Sequence, residues 1–159
     1  GVEVDGTPVA GVVVDPLLDD EFCAAIGHGT TRNGRPVRVN RVDDLSSALV
    51  ATGFGYDPGR RRRQAEALVS IIGHIGDIRR CGGAATDLAS VACGRVDAYF
   101  ERGLNPWDFA AGAVLVTEAG GRVTDLEGRP TSGGMVVAAP VELHGPLLEL
   151  LRSAGAEVA

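Results

Sequence analysis

The chain has 159 residues, 45% of them apolar, and a formal net charge of −6. That length buries one real core, the composition is too apolar for a disordered chain, and the acidic balance argues against general nucleic-acid binding. All fifteen basic residues are arginine, which excludes a lysine nucleophile, a Schiff base and a P-loop lysine.

In chain order, "VEVDGTPVAGVVVDP" reads as two strands around an Asp5-Gly6 turn. "EFCAAIGHGTTRNGRPVRVN" adds short strands with a second turn at Asn33-Gly34. "SALVATGF" is a compact apolar strand ending at Gly53. A helix is predicted from Pro58 to Gly73, with Ala65, Leu68, Val69 and Ile72 as its apolar face. "DIRRC" is a short strand, and Gly82-Gly83 open a second helix through "AATDLASVAC". "VDAYFE" is a strand with alternating faces. Asn105 and Pro106 start a third helix, which runs to the stop at Gly120-Gly121. Strands around "GRVTD" and "MVVAAP" precede a final helix, "VELHGPLLELLRSAG". Strands first, then strands alternating with helices, indicate a layered α/β fold in a single domain over 1–159.

Glycine is abundant, at 23 residues, so tight turns and close backbone approaches are expected. Cys23, Cys81 and Cys93 are odd in number and lack C-x-x-C spacing. They read as reduced, mostly buried thiols of a cytoplasmic protein. No apolar run of about 18 residues suggests a membrane span. The chain starts on glycine in a strand-like pattern, which suggests a piece of something longer.

Several stretches are candidate sites. "TGFGYDPG" lacks the third glycine of a dinucleotide fingerprint and reads as an ordinary strand-to-helix turn. Arg60 to Arg63 read as a solvated helix start, or as a contact for phosphate or a partner chain. His28, His74 and His144 have no metal-ligand spacing and read as structural or surface residues. Gly82 and Gly83 before a helix form either a tight turn or an anion cradle of converging N–H groups. Glu101 ends a strand and Asp108 sits in the first turn of the third helix. An acid at that place caps the helix and complements its dipole, or holds a metal ion. Two acids at such an edge beside a glycine cradle fit a metal-and-phosphate site.

Together these stretches resemble the inositol monophosphatase family. "WDFAAGAVLVTEAGG", Trp107 to Gly121, is similar to its C-terminal signature position by position. "GGAATDLASVACGRVDAYFERGLNPWD" and "GVVVDPLLDDEFCAAIGHGTTRNGRPVRV" follow the family pattern too. The resemblance covers nearly the whole chain. Bacterial inositol-1-phosphatases look closest, and histidinol-phosphate phosphatases and sulfur-assimilation nucleotide phosphatases share the motifs. The resemblance implies a layered α-β-α sandwich, the C-terminal portion of the sugar-phosphatase fold. It implies Mg²⁺-dependent hydrolysis of a small phosphate monoester, most readily inositol 1-phosphate, by a homodimer. Asp108 would be a Mg²⁺ ligand, Glu101 would bond a substrate hydroxyl, and Gly82, Gly83 and Ala84 would cradle phosphate and ring. Family members usually carry Ser or Thr where Gly83 stands; a backbone contact survives that change and a hydroxyl contact does not. The family's first metal site needs an earlier glutamate and an Asp-Pro-x-Asp-Gly-Thr segment, which this sequence lacks. "DPLLDDE" at Asp15 has no Gly-Thr and matches a later strand and turn. The expectation is therefore the C-terminal part of a longer enzyme, inactive by itself and prone to self-association. The rival is a non-catalytic remnant that binds an anion or a partner chain.

Overall fold

The computed structural model describes residues 1–156 and places the strands in two separate sheets. The first is antiparallel and built of consecutive strands: β1 (Val2–Val4), β2 (Thr7–Asp15), β3 (Asp20–Ala25), β4 (Gly29–Arg32) and β5 (Arg35–Val37). Its tight turns fall where the sequence places them. Asp5 and Gly6 have φ of 50° and 74°, and Asn33 and Gly34 have 50° and 70°. Positive φ at both central residues matches the twist of flanking strands, and Asp-Gly and Asn-Gly pairs tolerate it.

The second sheet is mixed. It joins β6 (Leu49–Thr52), β7 (Asp77–Arg79), β8 (Ala98–Arg102), β9 (Gly121–Thr124) and β10 (Met135–Pro140) in the order β7-β6-β8-β10-β9. β6 runs parallel to β7 and β8, whereas β10 runs antiparallel to β8 and β9. The connections of the parallel part are α1 (Pro58–Ile71) and α2 (Ala84–Ala92). Helices α3 (Pro106–Glu118) and α4 (Val141–Ser153) flank the antiparallel part.

Two cores follow from this arrangement. Helices α2 and α3 lie between the sheets, and Leu88, Val91, Phe109, Val114 and Leu115 pack on Val13 and Phe22 of the first sheet and Tyr99 and Val136 of the second. Helices α1 and α4 cover the opposite face of the second sheet, where Ile71, Leu143, Leu147 and Leu151 meet Val50, Phe100 and Val137. The second sheet is thus an α-β-α sandwich, with the antiparallel sheet stacked outside its inner helices. β8 alternates as expected, Tyr99 to one core and Ala98 and Phe100 to the other, and all three are buried. A strand covered on both faces needs apolar residues on both.

Two expectations are corrected. The buried face of α1 is Gln64, Ala67 and Ile71, with Leu68 half-buried. Ala65, Val69 and Ile72 are exposed. The reason is tertiary: Gln64 turns inward and its Oε1 accepts the Gly55 N–H at 2.8 Å, which rotates the stripe away from the apolar count. The thiols also differ from expectation: Cys23 and Cys93 are half-buried, and Cys81 is exposed. Among the described residues, no helix is long and apolar enough to cross a membrane.

Candidate functional site

The C-terminal end of β8, the N-terminus of α3 and the N-terminus of α2 carry the candidate residues. The loop before α2 is shaped by Gly82, with φ of 104°, a conformation open to glycine and strained for other residues. Gly83 is the N-cap residue of α2 and offers no side-chain cap. The first helical bond runs from the Asp87 N–H to the Gly83 carbonyl at 2.9 Å. The N–H groups of Ala84, Ala85 and Thr86 therefore have no carbonyl one turn back. Gly82 and Gly83 are exposed and Ala84 is half-buried, so this positive helix end is open to an anion. The Arg80 guanidinium lies against it: a Cβ on Gly82 would stand 2.7 Å from Arg80 Nη1.

Asp108 is half-buried in the first turn of α3. Its Oδ2 accepts the Asn105 N–H at 2.8 Å, and the Asn105 carbonyl accepts the Asp108 N–H at 2.9 Å. Capping uses only Oδ2, and no hydrogen bond among the described residues reaches Oδ1. Capping and ligand binding are thus compatible in this one side chain.

Glu101, at the end of β8, is half-buried. Tyr99, two residues earlier on the same face, donates its hydroxyl to Glu101 Oε2 at 2.6 Å. Burial raises the Glu101 carboxyl; the Tyr99 hydroxyl and Arg80 oppose the rise and the Asp108 charge adds to it. Beneath lies Asp87, 1% exposed, whose Oδ2 has no partner. Burial raises its pKa to about 6; the Cys81 thiol, the Gly82 N–H and Arg80 pull it down, and Glu101 pushes it up.

These mutual effects link the elements. Gly82, Arg80 and Glu101 act on Asp87, Asp87 and Asp108 act on Tyr99, and Asp108 acts on Glu101. Glu101 thus feels the charge of Asp108, and Asp87 that of Glu101, like-charge pairs that a cation would relieve. The oxygen donors suit a hard ion such as Mg²⁺. Among the described residues, however, no group of three or more His, Cys, Asp or Glu is close enough to hold a metal ion. Asp108 Oδ1 could supply one ligand of such a site.

Among the remaining sequence candidates, the Arg60 guanidinium lies against Gly103 in the loop between β8 and α3. Arg60 to Arg63 are exposed at the start of α1. His144 is buried, 3.1 Å from Thr124 Oγ1, and burial lowers its pKa. The sequence reading missed Arg80, Asp87, Tyr99 and Gly53. An acid in the first turn after two glycines, and a tyrosine two before a strand-end glutamate, are the signals that could have found Asp87 and Tyr99.

The profile described as "Inositol monophosphatase family" matches residues 1–156. Inositol-1-monophosphatase SuhB of Mycobacterium tuberculosis is 45% identical over 159 residues, covering 96% of this chain and 54% of that protein. The inositol-1-monophosphatase of Synechocystis is 40% identical over 154 residues, again spanning 54% of the relative. The solved inositol monophosphatase of Anabaena (Nostoc) superposes with a TM-score of 0.91 at 41% identity, covering 96% of this chain and 62% of that one. The chain spans about half the length of the curated relatives it matches.

Proposed function

Because the chain belongs to the inositol monophosphatase family, we propose that it forms the C-terminal part of a Mg²⁺-dependent phosphomonoesterase. Its first candidate substrate is inositol 1-phosphate, with histidinol phosphate the alternative within the same chemistry. The observation that supports this reading is the open helix end at Gly82–Ala84 with Arg80 against it, a residue whose charge, like that of Asp108, acts on Glu101.

In this reading the loop at Gly82, Gly83 and Ala84 cradles the phosphoryl oxygens, the free N–H groups from Ala84 onward donate to them, and Arg80 adds positive charge against the same loop. Such fixed donors stabilise charge as it spreads over the phosphoryl group. Glu101 accepts a substrate hydroxyl and so orients the ester. Asp108 offers Oδ1 to Mg²⁺ while Oδ2 caps α3. A Mg²⁺ held through Asp108 would supply the chemistry of a water activated at neutral pH and of a neutralised leaving oxygen. Family likeness further supports a homodimer in the cytoplasm acting on a small phosphorylated substrate.

The test is phosphate release by the protein expressed from its complete reading frame, with inositol 1-phosphate and with histidinol phosphate, with and without Mg²⁺. The expected result is Mg²⁺-dependent turnover, faster on inositol 1-phosphate, falling about 10³-fold in Asp108→Asn. Turnover indifferent to Mg²⁺, or an Asp108→Asn variant as active as the parent, would sink the assignment.

A further inference from the structure

Glu101 is held more tightly than a strand-end carboxylate needs to be. A glutamate's terminal torsion is soft, so a free carboxylate samples a broad range. Here one neighbour ties it and a second leaves the space it occupies. Tyr99 is fully buried, and its hydroxyl donates to Oε2 at 2.6 Å. A buried phenol seeks one partner, and this one has Glu101. Gly53 is the second. It follows β6, the neighbour of β8 through the Thr52–Phe100 pair. A Cβ at Gly53 would stand 1.9 Å from Glu101 Oε2 and 2.4 Å from Oε1. The carboxylate therefore occupies the space that any side chain at 53 would fill.

With Oε2 tied, no hydrogen bond among the described residues reaches Oε1. That oxygen belongs to a half-buried residue within reach of the charge of Arg80, whose guanidinium lies against Gly82 before α2. We propose that Tyr99 and Gly53 are positioning residues that fix the Glu101 carboxylate so that its Oε1 reads one hydroxyl of the substrate. The inference rests on the phosphatase reading and deepens it by naming what sets selectivity for a polyol phosphate. A site built to pair with a hydroxyl rejects an analogue without it far more strongly than an apolar pocket rejects a missing methylene. That selectivity requires the acceptor to be held in place.

The experiment compares kcat/KM on inositol 1-phosphate and on p-nitrophenyl phosphate, an ester with no hydroxyl to offer, in the protein from its complete reading frame. Tyr99→Phe removes one hydroxyl and keeps the buried ring. Gly53→Ala displaces the carboxylate with Tyr99 intact. Each variant should lose about 10-fold or more on inositol 1-phosphate and stay within about twofold of the parent on p-nitrophenyl phosphate. A parallel fall on both esters, or no change on either, overturns the proposal.

A second readout needs no turnover. The ¹³C resonance of the Glu101 carboxyl should titrate at higher pH in Tyr99→Phe, because the lost hydroxyl opposes the rise that burial imposes on this carboxyl. An unchanged titration overturns the positioning role. Absence of turnover by the parent on both esters would overturn the phosphatase reading instead, and the resonance would still decide the contact.

Discussion

At the scale of single residues, Asp87 carries a cost that its surroundings only partly offset. Burial raises its pKa from 3.8 to about 6. Below pH 3.8 the carboxyl is protonated in both the folded and the unfolded chain, and folding loses nothing. As pH rises through the interval up to about 6, the unfolded chain releases the proton first and the folded state loses ground. Above that interval the loss is complete, about 3 kcal/mol. Asp87→Asn keeps the shape and removes the charge. Urea unfolding at pH 3.5 and pH 7.5 should show the variant gaining on the wild type by about 3 kcal/mol across that range. Parallel stability curves would show that the Asp87 carboxyl titrates alike in the folded and the unfolded chain, so that burial does not raise it. Asp20 has the opposite sign. The Arg32 guanidinium at 2.5 Å, with Arg95 beside it, holds its carboxyl below the ordinary value, so its contribution is present near neutrality and is lost as pH falls below 3.8. A comparison of Asp87→Asn with the wild type leaves that contribution in both arms.

At the scale of elements, the contact between α2 and α3 offers a direct test of packing. A Cβ at Gly112 would stand 2.5 Å from Leu88 Cβ, and Leu88 is fully buried. Gly112→Ala adds helix propensity, yet the clash dominates, because forced overpacking costs about 1–3 kcal/mol. Thermal unfolding of this variant should occur below that of the wild type; an increase in Tm would show that the two helices can part without loss. The elements themselves were legible in the sequence because their punctuation is local: Asp5-Gly6, Asn33-Gly34, Pro58 after Asp57, and Pro106 after Asn105. The face of α1 was not, since a bond from Gly55 to Gln64 decides it and no periodicity carries that. The division into two sheets was also not legible, because strand runs do not say which strands pair. The site divides in the same way. Asp108, Glu101 and Gly82-Gly83 stand out as linear motifs. The notch that Gly53 makes for Glu101 joins strands far apart in sequence, and only their pairing reveals it.

At the scale of the whole molecule, the antiparallel sheet packs one face on α3 and leaves the other open. Val12 and Val14 point outward from β2 at 57% and 58% exposure, and Val2, Val4 and Leu18 are similarly exposed. Clustered apolar residues on one sheet face drive association. The 159-residue chain should elute in size-exclusion chromatography with an apparent mass that rises with concentration. Replacing Val12 and Val14 together by Thr should shift it toward the monomer. A concentration-independent monomer would remove the open face as a cause of association. Helix α3 ties this sheet to the rest. Its first turn carries Asp108, and at its other end Glu118 accepts the N–H groups of Gly27 and Gly29 in the β3–β4 turn at 3.0 and 2.8 Å. Thirteen residues make a rod about 20 Å long, gripped along its length by both sheets and by α2. The hairpin tip and the candidate site are therefore anchored to opposite ends of one packed helix, and the distance between them is set by its length.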